Sequence, residues 1–392
     1  MRYEKFIIHD TAFCMRLLYI ANIRIPTEKA HGIQIMEMCS ALARSGNDVT
    51  LLVPTRDNPS IRGVDPFVYY GLEKNFSIQF VQAPDPTWLM GILGGLYIKL
   101  QALLFIHCLR KFLAELKKDT GLLYTRDEHL LLFLLRYSNN VVWEGHTLPS
   151  KRRWYVPIWN RCSKIVVITK GLKDELVRLG VSQEKIMLAP DAVDLDKFHP
   201  KASVSDLRNV LGLPQDKKII FYSGHLFEWK GAQVLADVAS RLDDDCLIVF
   251  LGGMDSDIQA FQTANRHLKN VALLPHVPYA ELPKYMACAD VAVLPNKKGM
   301  EISELFTSPL KMFQYMASGV PIVASDLPSI REILNDSNAV LVEPNSPDAL
   351  ARGITKVLND PDLAKRISAQ ALEDVKQYSW DKRAERILRS LQ

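Results

Sequence analysis

Short, unbroken apolar runs alternate with helical periodicity along this chain, and the alternation goes round twice. Residues 17–21 form the first run; after the loop NIRIPTEKAHG, the residues Ile35, Met36, Cys39, Leu42 and Ala43 keep helical spacing up to Gly46, and 49–53 is apolar again. A strand, a helix and a strand in that order predict a parallel βαβ unit with a right-handed crossover. Further runs at 122–124, 141–143 and 164–169 continue this first round, and the polar stretch 191–200, DAVDLDKFHP, reads as a linker. A second round opens with the run 218–222, the loop SGHLFEWKG and a helix that turns Val234, Leu235, Val238 and Leu242 inward. Runs at 246–251, 271–274, 291–294, 320–324 and 339–342 complete it. Strands that are apolar throughout are covered on both faces, as in parallel sheets. The pattern therefore predicts an α/β chain of two doubly wound domains with a ligand cleft between them.

The stretch 307–326, TSPLKMFQYMASGVPIVASD, carries the most local information. Ser308 is placed to cap a helix and Pro309 suits its first position. Pro309, Met312, Phe313, Met316 and Ala317 make one apolar stripe, Gly319 ends the helix, and 320–324 is a buried strand. The helix thus starts at the edge of a sheet, where ligands of α/β proteins bind. Its free N–H groups at Leu310 and Lys311, the helix dipole and the Lys311 ammonium together favour a phosphate. An ordinary capped core helix would have the same local signals, so the rest of the chain must decide.

Composition narrows the choice. With 48% hydrophobic residues in 392, both domains can have full cores. The net charge of +4 fits anionic phosphates or an acidic membrane face and is too weak to argue for nucleic acid. Six scattered cysteines without a C-x-x-C pair point to a reduced, cytoplasmic setting. Residues 1–14 lack a signal-peptide pattern and read as an N-terminal extension without function. Residues 88–109 are the most apolar segment, interrupted by Lys99, Gln101, His107 and three glycines. A buried core helix and an interfacial membrane-docking helix both fit; a mid-segment lysine argues against a span. Arg110, Lys111, Lys117 and Lys118 follow, as an anionic membrane surface would favour and as ordinary solvated charge would also explain.

Gly224, Lys230 and the helix start at Ser308 together make a diphosphate cradle of a glycine loop, an ammonium and free N–H groups. Neither a G-x-G-x-x-G nor a Walker pattern is present, which disfavours dinucleotide redox and P-loop chemistry. The run 141–143 leads into Glu144-Gly145-His146-Thr147, which puts a carboxylate and an imidazole at a strand's carboxyl end, although a lone histidine is commonly structural. The D-x-D triplets at 194–196 and 255–257 read as solvated turns, so no metal site is expected.

With these pieces in place, the chain resembles the retaining GT-B glycosyltransferases of family 4. The resemblance rests on ITKGLKDEL with APDAVDLDKF (168–198), GHLFEWKG (224–231), HVPYAELPKYMACADVAVLP (276–295) and SPLKMFQYMASGVPIVASDLPSIREIL (308–334), in this order and spacing, and covers nearly everything after Met15. It implies two facing Rossmann-like domains: 15–199 on the acceptor side, 200–376 holding a nucleotide-sugar donor, and a helix at 377–392 that crosses back. It implies that Lys230 and the N–H groups of Leu310 and Lys311, with Ser308 and Pro309 shaping the turn, hold a diphosphate beside Gly224 and His225. Gly32 would let the donor approach the first domain, His276 and Val277 would read the base through their backbone, and His146 would lie near the transferred sugar. Gln314 matches the second glutamate of the family's E-x7-E motif and Phe306 the first. Gln314 can accept from a ribose hydroxyl through its carbonyl; Phe306 cannot hydrogen-bond, which leaves sugar recognition to Glu301 or Glu304. His225 stands where many members carry arginine, which weakens the charge clamp.

The expectation is transfer of a sugar from a UDP- or GDP-sugar with retention, with His146, Lys230 and Gln314 as catalytic residues and neither metal nor cofactor. The acceptor is expected to be a glycan or lipid-linked precursor of the cell envelope, handled by a cytoplasmic protein that touches an anionic membrane peripherally. A sugar-nucleotide epimerase and a non-catalytic binding subunit are the rival readings.

Overall fold

The computed structural model describes residues 15–115, 121–198, 202–253 and 255–391. The extension 1–14 and the basic residues Lys117 and Lys118 lie outside the described residues. Two all-parallel sheets are present, as the double alternation predicts. The first is built from β1 (Arg16–Ile20), β2 (Asp48–Pro54), β3 (Ser77–Val81), β4 (Leu122–Thr125), β5 (Val141–Gly145), β6 (Lys164–Val167) and β7 (Ile186–Leu188), in the order β3-β2-β1-β4-β5-β6-β7. The second has β8 (Lys218–Ser223), β9 (Cys246–Leu251), β10 (Val271–Leu274), β11 (Val291–Leu294), β12 (Ile322–Ser325) and β13 (Val340–Val342), in the order β10-β9-β8-β11-β12-β13. In each the chain reverses direction across the sheet, between β1 and β4 and between β8 and β11, and such a switch point opens a crevice at the carboxyl ends of the strands.

The central strands are buried on both faces, which is why they read as unbroken apolar runs. The two strands absent from the sequence reading are edge strands. β3, SIQFV, buries only Val81 fully, and β7 has three residues; the first lacks the unbroken apolarity and the second the length that marks a covered strand.

Two parts of the chain tie the domains together. The Trp380–Arg389 helix packs on the Ala30–Arg44 helix of the first domain, as the resemblance implies. Arg383, fully buried there, donates to the carbonyls of Pro190 and Ala189. The second tie corrects the linker reading of 191–200: Asp191, Ala192 and Val193 are buried, and the Val193 N–H donates to the Tyr378 carbonyl. Polar composition mistook for solvated a segment whose first residues are buried and whose charges are held by neighbours: Asp194 accepts from the Asp196 N–H, and Lys197 pairs with Glu37 of the first domain at 2.7 Å.

The apolar segment forms a core helix with a second, exposed face. In the Gly95–Glu115 helix Ala102, Phe105, Leu109 and Leu113 are buried against the first sheet. Trp88, Ile92, Leu96, Ile98 and Leu103 are exposed, Ile92 at 75%. Among the described residues no helix is long and apolar enough to cross a membrane.

Candidate functional site

Between the two sheets lies a cavity of about 300 Å³, and its floor is the start of the Leu310–Ser318 helix. That helix begins one residue later than the sequence suggests, with Pro309 at the N-cap, and no side chain caps it. Ser308 does not serve as the cap: its Oγ accepts from the Asp191 N–H at 3.1 Å, a partner from the other domain that no local signal announces. The first N–H groups are therefore left for an anion, with the positive end of the helix dipole behind them.

Two ammonium groups converge on this point. Lys311 is 9% exposed, and its Nζ lies 3.6 Å from the centre of the Tyr222 ring without a hydrogen-bond partner among the described residues. Lys230 sits at the end of the Glu228–Lys230 turn, its Nζ 5.3 Å over the rings of Phe227 and of Trp229. Gly231 makes the turn possible: its φ is +72°, and a Cβ there would lie 1.8 Å from the Pro295 carbonyl oxygen. Burial brings Lys230 down to about 8. Burial, and then the Lys230 charge, pull Lys311 well below the lysine range. Two cations whose charges act on each other, with no counter-charge among the described residues, are destabilised as they stand, and a diphosphate between them would relieve both.

His225 lines the same wall, stacked on Phe227 at 5.0 Å with its Nδ1 unpartnered among the described residues. Burial and then Lys230 lower it to about 4, so it is neutral near pH 7 and adds no charge to the clamp. Gly224, at φ +111°, Val277 and Gln314 also line the cavity. His276 lines it too, and its Nε2 hydrogen-bonds the Tyr69 hydroxyl at 2.8 Å across the domain boundary.

The opposite wall is the carboxyl end of β5. His146 Nε2–H donates to Glu144 Oε1 at 2.7 Å, and the same oxygen accepts from Gln34 Nε2 at 2.6 Å and from Arg383 Nη2 at 2.9 Å. Tyr124 donates to Oε2, and Arg126 Nη1 reaches Gln34 Oε1 at 2.5 Å. Burial raises Glu144, but Arg383 and then His146 outweigh it and hold the carboxyl well below its usual range. An ionised Glu144 only accepts, so it fixes the tautomer with the proton on His146 Nε2 and leaves Nδ1 as an acceptor. Burial, followed by Arg126, lowers His146 and keeps the ring neutral. Ligand atoms of Glu144, His146 and Asp191 lie within 4.8 Å of one another, yet the Arg383 guanidinium already fills the place a cation would take beside Glu144.

Not every expected residue arrives in the cleft. Gly32 is not among the lining residues; a side chain there would meet the Tyr70 hydroxyl at 2.3 Å and Thr27 at 2.5 Å, so its missing Cβ accommodates the first domain's own packing. Glu301 is bound by Arg152 at 3.0 Å and Glu304 by the Gly299 N–H, and neither lines the cavity. Phe306 does, buried with the Arg152 guanidinium 5.5 Å from its ring centre. Asp191, read as linker, also lines the cavity, as does Asn296 just past β11, which is 1% exposed with both amide atoms unpartnered among the described residues; no local signal marks either.

Comparison with known proteins agrees with this architecture. The family model described as glycosyltransferase family 4 matches residues 32–197, and that of glycosyl transferases group 1 matches 203–374. A D-inositol 3-phosphate glycosyltransferase of Xylanimonas cellulosilytica is 29% identical over 237 residues, 57% of this chain and 55% of that protein. A protein of Escherichia coli named for colanic acid biosynthesis, WcaI, is 29% identical over 202 residues, 50% of this chain and 49% of its own. The chain thus spans about half the length of the curated relatives it matches. Anabaena HepE, crystallised in complex with UDP-glucose, superposes with a TM-score of 0.72 at 16% identity, covering 96% of this chain and 99% of that one, which shows a shared GT-B fold.

Proposed function

Because the chain belongs to glycosyltransferase family 4, we propose that it moves a sugar from a UDP- or GDP-sugar to an acceptor hydroxyl with retention of anomeric configuration. The observation that carries this reading is the pair of ammonium groups, Lys311 buried and Lys230 half-buried, that meet at an uncapped helix start. When the bond between sugar and phosphate breaks, negative charge builds on the departing diphosphate. Two ammonium groups, the Leu310 and Lys311 N–H groups and the helix dipole meet that charge already oriented, so the reaction needs no metal ion. The acceptor attacks from the face the diphosphate leaves, and a phosphate oxygen takes its proton. His146 Nδ1 accepts from a hydroxyl of the transferred sugar, Gln314 from the ribose through its carbonyl, and the backbone at His276 and Val277 faces the base.

The acceptor enters from the first domain. Relatives named for inositol phosphate and colanic acid chemistry support a glycan or lipid-linked acceptor of the cell envelope. The exposed apolar face around Ile92, with the exposed charges Lys99, Arg110 and Lys111, supports peripheral contact with an anionic membrane on its cytoplasmic side. Lys230→Ala is expected to lower turnover of the nucleotide sugar by about 100-fold or more, measured as release of nucleoside diphosphate. Turnover at the wild-type level would remove the cradle and the reading with it.

A further inference from the structure

The cavity presents a puzzle of charge. The positions that match the family's paired glutamates are Phe306 and Gln314, and the acids nearest to them in sequence, Glu301 and Glu304, are tied to Arg152 and Gly299 outside the cavity. A sugar crossing the cleft exposes several hydroxyls, each of which needs an acceptor once water is displaced. Only two carboxylates line the cavity among the described residues, Glu28 and Asp191. Glu28 is engaged, accepting from Asn58 Nδ2 at 2.8 Å and from Arg24 at 3.5 Å.

We propose that Asp191 is the carboxylate that holds the transferred sugar. Its place in the fold supports this, given the transferase reading on which the proposal rests. Through its N–H it is bound to Ser308, two residues before the helix start that presents Leu310 and Lys311. Its carboxyl lies within 4.8 Å of the ligand atoms of His146 and Glu144. Asp191 therefore stands between the phosphate cradle and the imidazole wall, where the group passing from diphosphate to acceptor must lie. It is 4% exposed, and its Oδ1 has no hydrogen-bond partner among the described residues. A carboxylate oxygen is not buried without a partner at no cost, and a hydroxyl of the bound sugar is the partner this cavity admits.

The role is non-covalent. The C1–O bond to the diphosphate breaks with its electron pair leaving on phosphate, the acceptor oxygen forms the new C1–O bond on the same face, and the acceptor's proton passes to the departing phosphate. Asp191 accepts from a sugar hydroxyl throughout, and its charge stabilises the positive charge that develops at C1.

The test compares sugar nucleotides with bare nucleotides in wild type, Asp191→Asn and Asp191→Ala. Calorimetry is run with UDP, GDP, UDP-glucose, UDP-N-acetylglucosamine and GDP-mannose, and thermal unfolding confirms that each variant is folded. Asp191→Asn is close to isosteric and keeps the N–H bond to Ser308, so it decides the matter should the alanine variant fail to fold. The expected result is a loss of about 10-fold for Asn and about 100-fold for Ala in affinity for the sugar nucleotide that wild type binds best, with the affinity for its nucleoside diphosphate unchanged within about twofold. Equal losses for both ligands would make Asp191 merely structural, and no loss for either would leave it without a role; each outcome overturns the proposal while leaving the transferase reading intact. Wild-type protein that binds neither UDP nor GDP would overturn the reading itself and the proposal along with it.

Discussion

At the scale of single residues, the cradle makes its own demand on protons. A lysine that burial has lowered to about 8 holds its proton less firmly in the free protein, and an anion alongside restores the hold. Lys311, lowered further, behaves in the same sense. Binding of UDP or GDP at pH 8 is therefore expected to draw in about one proton, and affinity to decline as pH rises through about 8. Calorimetry in Tris and in HEPES measures the uptake; zero uptake or proton release would mean that the anion does not meet these ammonium groups. The placement of Lys230, Leu310 and Lys311 at the cavity was legible in the sequence because it follows from local chemistry, a glycine turn and a proline-led helix start. Asp191 and Asn296 were not, since their significance lies in partners that burial withholds, and nothing in APDAV or LPNKK reports that. Gly32 went the opposite way, lying outside the cavity lining, and Ser308 lines the cavity but turns its hydroxyl to Asp191 instead of capping the helix: a glycine or a serine has the same spelling whether a ligand or a neighbouring domain occupies the space beside it.

At the scale of elements, the Trp380–Arg389 helix is the strongest link between distant parts of the chain. Arg383 donates to Glu144, which in turn orients His146, so a residue of this helix sets the acceptor geometry of the cleft from behind. Arg383→Met removes one partner of a fully buried ion pair and is expected to cost about 3–5 kcal/mol of stability, measured by denaturant unfolding; a loss below about 1 kcal/mol would show that Gln34, Tyr124 and His146 satisfy Glu144 without it. The sign of the pH dependence follows from the carboxyl's direction. Glu144 is held well below its ordinary 4.5, so its stabilising contribution is in place above that pH and drains away as acid takes the pH below it. The covered strands of both sheets were legible because burial on two faces forces an unbroken apolar run. The edge strands β3 and β7 lie outside that constraint and left no such mark.

At the scale of the whole molecule, the two sheets repeat one topology and face each other, so the first domain's exposed apolar face lies apart from the cleft's chemistry. If this face meets a bilayer, binding to phosphatidylglycerol vesicles should weaken as salt rises, and Ile92→Glu should reduce it several-fold without lowering the melting temperature, because Ile92 is 75% exposed. Sedimentation with vesicles measures this; equal binding by the variant would assign the face to another purpose. The crossing helix bears on how such a molecule is made. Synthesis releases residues 15–198 first, yet the partner that neutralises Glu144 arrives only with Arg383, after the whole second domain has been translated. The half that leaves the ribosome earliest thus carries Glu144 with its Gln34, Tyr124 and His146 partners but without the guanidinium that pairs with it, until the late half is finished.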